Sequence, residues 1–229
     1  MKTIGILGGM SAASTQLYYR ELCRLTRERL GGLHSPQLVI RSLDFADVER
    51  LQMRGAWEEL GALLNREALA LQRGGADLLV LATNTMHKVA DAMLAGVEIP
   101  LVHIADATAA AVVDAGLTRP GLMATAFTME QPFYVERLTR AGLRTVLPDE
   151  DDRAATHRII YDELCKEIVT EASRARYETI ARRLVDAGAD SLILGCTEVG
   201  LLLNADNVSV PVFDTTLVHC AATLDAALA

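Results

Sequence analysis

An α/β fold of two pseudo-symmetric lobes, each a four-stranded, mainly parallel sheet flanked by helices, is what this chain predicts. Three observations carry the prediction. Short apolar runs alternate with longer stretches of helical periodicity, the pattern of parallel strands joined by helices that cover both faces of a sheet. Two segments nearly repeat each other: Gly75-Ala76-Asp77-Leu78-Leu79-Val80-Leu81-Ala82-Thr83 and Gly188-Ala189-Asp190-Ser191-Leu192-Ile193-Leu194-Gly195-Cys196. The echo also holds elsewhere, from Gly5 to Gly121, from Gly75 to Gly188 and from Pro100 to Pro211, displacements of 116, 113 and 111 residues. A near-constant displacement over three strands indicates duplication of a whole unit with its element order kept.

In chain order, strands are expected at 3–8, 37–43, 77–83, 100–103, 120–124, 143–146, 191–195 and 210–213, each a short apolar run bounded by turn-forming residues. Between them, stretches such as Trp57–Arg73 and 174–187 carry apolar residues at helical spacing. Residues 1–103 with 216–229 are expected to form one lobe and 104–215 the other, with no low-complexity linker between them. Ligands in such sheets bind beyond the carboxyl ends of the strands, which predicts an active site in the cleft between the lobes.

Composition narrows the function. Of 229 residues, 51% are hydrophobic and only 4% aromatic, so Leu, Val, Ile and Ala must build the core. A net charge of −8 with no basic cluster disfavours nucleic acid, whose phosphates select a cationic face. No apolar run is long enough to cross a membrane, and Met1-Lys2-Thr3-Ile4 leads into a strand rather than a signal peptide, so a cytoplasmic protein is expected. Cys23, Cys165, Cys196 and Cys220 lack metal-ligand spacing, which points to neither a metal site nor a disulfide framework.

Four loops fall at carboxyl ends of strands: Gly8-Gly9-Met10-Ser11, Thr83-Asn84-Thr85, the segment 125–128, and Cys196-Thr197-Glu198. They combine small residues, hydroxyl or amide side chains and the N–H groups of a following helix, a combination suited to a carboxylate. Any one of them read singly is a helix N-cap. The repeat places them symmetrically and brings Thr83 and Cys196 to equivalent strand ends, the geometry of two-base proton transfer, in which each face of a carbon has its own acid or base.

These loops carry a resemblance. Gly8-Gly9-Met10, Asn84-Thr85-Met86-His87, Phe127-Thr128-Met129-Glu130-Gln131, Ile160-Tyr161-Asp162-Glu163-Leu164-Cys165-Lys166 and Gly195-Cys196-Thr197-Glu198, in that order, resemble the aspartate/glutamate racemase family over nearly the full length. The resemblance implies racemisation of a small anionic amino acid, aspartate or glutamate, with no cofactor and no metal, by a cysteine at the end of each half's third strand. It also implies a homodimer. Cys196 matches the second cysteine, and Thr83 replaces the first. A thiol has a pKa of about 8.5, whereas an alcohol lies far higher, near the value of water. The expectation is therefore an asymmetric enzyme in which Cys196 abstracts the α-proton of the L-enantiomer and Thr83, through water, returns one on the other face.

Cys196 is expected to ionise readily at the start of a helix, with Glu198 as a proton acceptor for the thiol or simply a first-turn carboxylate. Met10, Asn84, Thr85, Thr125, Thr128 and Thr197 are the substrate-binding candidates, and Lys166 matches the family's partner of the side-chain carboxylate. Glu167 stands where the family usually has glycine. His87, His103 and His219, together with Trp57 and Phe133-Tyr134, are expected to be structural. Two other readings remain. One is a single-cysteine relative, an arylmalonate-type decarboxylase or a maleate isomerase, and the other is a degenerate member that binds an acidic amino acid without turning it over.

Overall fold

The structure is a computed structural model that describes residues 1–196 and 198–229. The chain forms two units, Met1–His103 with His219–Ala229, and Ile104–Val218.

The first unit runs β1 (Ile4–Gly8), α1 (Ala12–Leu30), β2 (Leu38–Ser42), α2 (Phe45–Met53), α3 (Trp57–Arg73), β3 (Leu78–Leu81), a 3-10 turn (Thr85–Val89), the single-turn α4 (Ala90–Met93) and β4 (Leu101–Val102). Its strands are all parallel in the order β2-β1-β3-β4. Every residue of β1 and β3 is buried, which is why both read as unbroken apolar runs rather than as alternation. On one face, Leu60, Leu64 and Leu71 of α3 pack with Leu79 and Leu81. On the other, Tyr18 and Leu22 of α1 pack with Ile4, Ile6 and Val80. Each such leucine contributes about 1.5–3 kcal/mol on burial, so the apolar stripe of α3, rather than helix propensity, holds it to the sheet.

The second unit holds α5 (Ile104–Asp114), β5 (Pro120–Ala124), α6 (Ala126–Glu130), α7 (Pro132–Arg140), α8 (Glu150–Asp162), a 3-10 turn (Leu164–Lys166), α9 (Glu171–Asp186), β6 (Ser191–Gly195), a second 3-10 turn (Val199–Leu201), β7 (Val212–Asp214) and the start of α10 (Thr215–Leu228). Its sheet is parallel, in the order β5-β6-β7. The fourth strand expected at 143–146 is reduced to a single parallel bridge, Gly121 to Val146. The backbone there still bonds along β5, through Arg144 N to Thr118 O and Val146 N to Pro120 O. It goes no further because Pro148 has no N–H to give and Asp149 caps α8, accepting from Asp152 N at 2.8 Å.

The helices after the two last strands trade units. α5 follows β4 yet packs in the second unit, where Ile104, Ala105 and Val112 meet Leu122 and Tyr134. α10 follows β7, and its Cys220, Leu224 and Ala227 pack on Ile4, Ile6 and Val80 of the first. Among the described residues no helix is long and apolar enough to cross a membrane.

Candidate active site

In the first unit two loops at carboxyl strand ends bear the predicted residues. Gly8 and Gly9 leave β1 through a space that no side chain fits. A Cβ on Gly8 would lie 2.3 Å from Thr15 Oγ1, and one on Gly9, whose φ is +86°, would lie 2.2 Å from the backbone of Leu43. Thr15 Oγ1 accepts from Gly9 N at 2.7 Å and donates to Ser11 O at 3.0 Å, while Ser11 caps α1. Met10 is thereby fixed and almost fully buried.

Beyond β3, Ala82 N still bonds to Leu7 O, and Thr83 N turns back to Leu81 O at 2.8 Å. Thr83, Asn84 and Thr85 follow, all buried. The next turn carries His87, whose Nδ1 lies 2.8 Å from Thr83 O. A carbonyl only accepts, so the proton sits on that nitrogen. His103 packs against the His87 ring at 4.3 Å between centroids, tilted by 60°, and His219 lies 6.1 Å from it. His219 is anchored in turn: its Nε2 donates to Val102 O at 2.8 Å, and its Nδ1 accepts from Tyr18 Oη at 2.7 Å. Burial pushes His219 down to about 4, so it is neutral.

The second unit presents Thr125, Thr128, Cys196, Glu198 and Lys166; Thr197 lies outside the described residues. Thr125 caps α6, accepting from Thr128 N at 3.3 Å, and the two hydroxyls lie 3.2 Å apart. The structure adds a residue that the sequence reading did not single out. His157 Nδ1 accepts from Ala126 N–H at 3.3 Å, and its ring lies between Phe127 and Tyr161. Burial lowers its pKa, which keeps the accepting nitrogen bare. A histidine 31 positions away on another helix leaves no local sequence signal.

Cys196 follows β6 directly. Gly195 before it is required, because a Cβ there would meet Ala124 Cβ at 2.9 Å and Leu122 Cδ1 at 3.0 Å. The thiol donates to Glu198 Oε2 at 3.1 Å, with Cys196 only 9% and Glu198 only 5% exposed. This corrects two expectations. Among the described residues the element that follows Cys196 is the three-residue turn Val199–Leu201 rather than an α-helix, too short to supply the helix dipole expected to stabilise a thiolate. Burial first, and the Glu198 carboxylate second, push the thiol well above its ordinary value instead of below it. Glu198 is no solvated first-turn carboxylate but the thiol's hydrogen-bond acceptor.

Lys166 is exposed on its 3-10 turn, and Glu167 after it has φ +58°. That left-handed backbone is one glycine adopts without strain, and a side chain in this conformation costs about 1–2 kcal/mol. Cys165 is half-buried and raised to about 12, by burial and then by Glu198, so at rest it is a thiol and a poor nucleophile. Among the described residues no three His, Cys, Asp or Glu side chains are grouped to hold a metal ion.

The model of the Asp/Glu/Hydantoin racemase family matches residues 7–223. The chain belongs to that family. It is therefore an isomerase of the racemase type. Its structure is similar to that of a Yersinia pestis protein described as a candidate Asp/Glu racemase (46% identity, TM-score 0.93, all of both chains covered). It is also similar to an aspartate racemase homologue from Pyrococcus horikoshii OT3 (33% identity, TM-score 0.86, all of both chains covered). The aspartate racemase of Picrophilus torridus shares the fold at 22% identity and TM-score 0.78, over 99% of this chain and 94% of that one.

Proposed function

We propose that this racemase acts on an acidic amino acid, aspartate or glutamate, without a cofactor, with Cys196 and Thr83 serving opposite faces of the α-carbon. The observation that carries the reading is the Cys196–Glu198 hydrogen bond at the carboxyl end of β6, at the point of the repeat that corresponds to Thr83. Glu198 takes the thiol proton, the resulting thiolate removes the α-proton, and the carbanion is reprotonated from the Thr83 side through water. A raised resting thiol does not prevent this. The ammonium group of a bound amino acid is a cation close to the sulfur, and an opposite charge within ~4–6 Å favours the ionised form. The thiolate then forms only in the presence of substrate, which protects it from adventitious alkylation or oxidation.

Asn84, Thr85, Thr125 and Thr128, with the neighbouring N–H groups, supply donors suited to the α-carboxylate, whose charge spreads as the enolate develops. Lys166, exposed and cationic, supplies a partner for the side-chain carboxylate. The competing reading of a single-cysteine decarboxylase or maleate isomerase lacks a use for the second half-site, and a binding-only relative lacks one for the thiol–carboxylate pair.

Proton NMR of each enantiomer of aspartate and glutamate in deuterated water tests the proposal. The α-hydrogen of at least one L-enantiomer should be replaced and its D-enantiomer should appear. The Cys196→Ala variant should lose both by at least about a thousandfold, in line with removal of a covalently acting or proton-transferring group. Exchange that survives in that variant would remove Cys196 from the mechanism.

A further inference from the structure

Unit for unit, the repeat aligns Thr83 with Cys196, His87 with Gly200 and His103 with Asp214, at the displacements of 113 and 111 residues seen above. The half with the thiol has a carboxylate beside it and no imidazole at these positions. The half with the alcohol has two buried imidazoles, 3% and 8% exposed, packed with their centroids 4.3 Å apart and their planes at 60°. The fold does not need them, because its other copy closes the same loop around Gly200, where a Cβ would sit 2.7 Å from Asp214 Oδ2. Burying an imidazole costs free energy that its hydrogen bonds must offset. The Nδ1–H of His87 bonds to Thr83 itself.

We infer that His87 is a positioning residue for Thr83: its Nδ1–H holds the Thr83 carbonyl, and so orients the turn that aims the hydroxyl. The inference rests on the racemase reading above. Its ring is clamped from behind. His103 packs against it at a tilt, and His219, tied to both Val102 O and Tyr18 Oη, closes the cluster. An alcohol needs such support more than a thiol does. As the weaker proton donor it relies on alignment with the carbon and the relaying water, and misplacement by about 1 Å can cost about a hundredfold. A mobile turn after β3 would leave the carbanion to be reprotonated on the side it came from.

That competition provides the measurement. With L-substrate in deuterated water, exchange without inversion reports return from the Cys196 side, and inversion reports delivery from the Thr83 side. His87→Leu should lower the ratio of inversion to exchange about tenfold and leave KM nearly unchanged. His87→Asn places an amide N–H where Nδ1–H was and should restore the ratio to within about twofold of the parent. His87→Gln carries its amide at the far ring position and should behave like the leucine variant, which covers the case in which His87→Leu fails to fold. A purely structural role would depress exchange and inversion together at a constant ratio. An unmoved ratio in both the leucine and glutamine variants, or an asparagine variant no better than they are, would overturn the inference. If the parent enzyme exchanges no acidic amino acid at all, it is the racemisation proposal that fails.

Discussion

At the amino ends of their strands the two units are built alike; at the carboxyl ends they are not. Gly5 of β1 passes Ala76 so closely that a Cβ would meet it at 2.7 Å, and Gly121 of β5 passes Ala189 in the same way, at 3.3 Å. Asp77 accepts from Thr3 N at 2.7 Å, and Asp190 accepts from Thr118 N and Arg119 N at 2.8 and 2.9 Å. Leu79 N bonds to Pro100 O and Leu192 N to Pro211 O, the same link from the third strand to the last. These ties set register, and a duplicated fold has no freedom to change them. The carboxyl ends differ in the side chains they carry, an alcohol with imidazoles in one unit and a thiol with a carboxylate in the other, two different ways of handling a proton. Equal scaffolds with unequal strand ends are what one expects where catalysis, rather than folding, selects the residues.

The largest predicted effect probes the imidazole side. His219 is neutral in the folded first unit, with its value near 4, and close to the ordinary 6.5 when unfolded. Between those values the unfolded chain binds more protons, so stability rises with pH. The contribution is complete above about pH 6.5 and is lost as pH falls towards 4, a difference of about 3 kcal/mol at about 1.4 kcal/mol per pKa unit. Urea melts at pH 7 and pH 4 should show this loss in the parent. It should be absent from His219→Gln, whose amide can donate to Val102 O but does not titrate. Amide exchange at pH 5 should also show β1 and β3 opening before β5 and β6. Simultaneous opening would mean that the acid sensitivity belongs equally to both units.

Next in size is the carboxylate side. Glu198→Gln keeps a side chain of the same shape but removes the acceptor charge. Turnover should fall by about a hundredfold, the usual contribution of a positioned general base. The thiol should move the opposite way. Burial keeps it high, but without Glu198 its value comes down, so iodoacetamide at a fixed pH near 8 should alkylate Cys196 faster in the variant than in the parent. Slower turnover with faster alkylation is a signature that simple unfolding of the loop does not give with native-like melting. Slower alkylation would show that Glu198 promotes the thiolate at rest.

The sequence displayed its scaffold well because burial writes itself into composition. β1, β3, β5 and β6 are apolar runs that end in small residues, and the α3 stripe follows helical spacing, so their positions and the duplication were legible. The edge at 143–146 was misjudged because a proline two residues further on ended the pairing. At the site, the residue types after each strand were readable, since chemistry there is local to a loop. The environment of Cys196 was not. Its thiol value depends on burial and on the direction of the Glu198 side chain, neither of which follows from Gly-Cys-Thr-Glu. His87, His103 and His219 read as core residues singly, and only the fold sets the rings of His103 and His219 at 4.3 and 6.1 Å from that of His87.

The smallest predicted change is also the most direct test of the asymmetry. Thr83→Cys gives the first unit the thiol that the second already has. Exchange of the α-hydrogen of the D-enantiomer, which must begin on the Thr83 side, should rise by about tenfold, since even a small thiolate fraction exceeds what an alcohol can supply. It should stop short of the rate at which Cys196 exchanges the L-enantiomer. The new thiol would be as buried as Thr83, which is 7% exposed, and Thr85 rather than a glutamate occupies the position that corresponds to Glu198. Burial alone raises a thiol. Adding Thr85→Glu to Thr83→Cys should then increase D-exchange further, whereas Thr85→Gln should not. If the single variant already matches the L-exchange rate, the carboxylate beside Cys196 is dispensable, and the difference between the two units reduces to sulfur against oxygen.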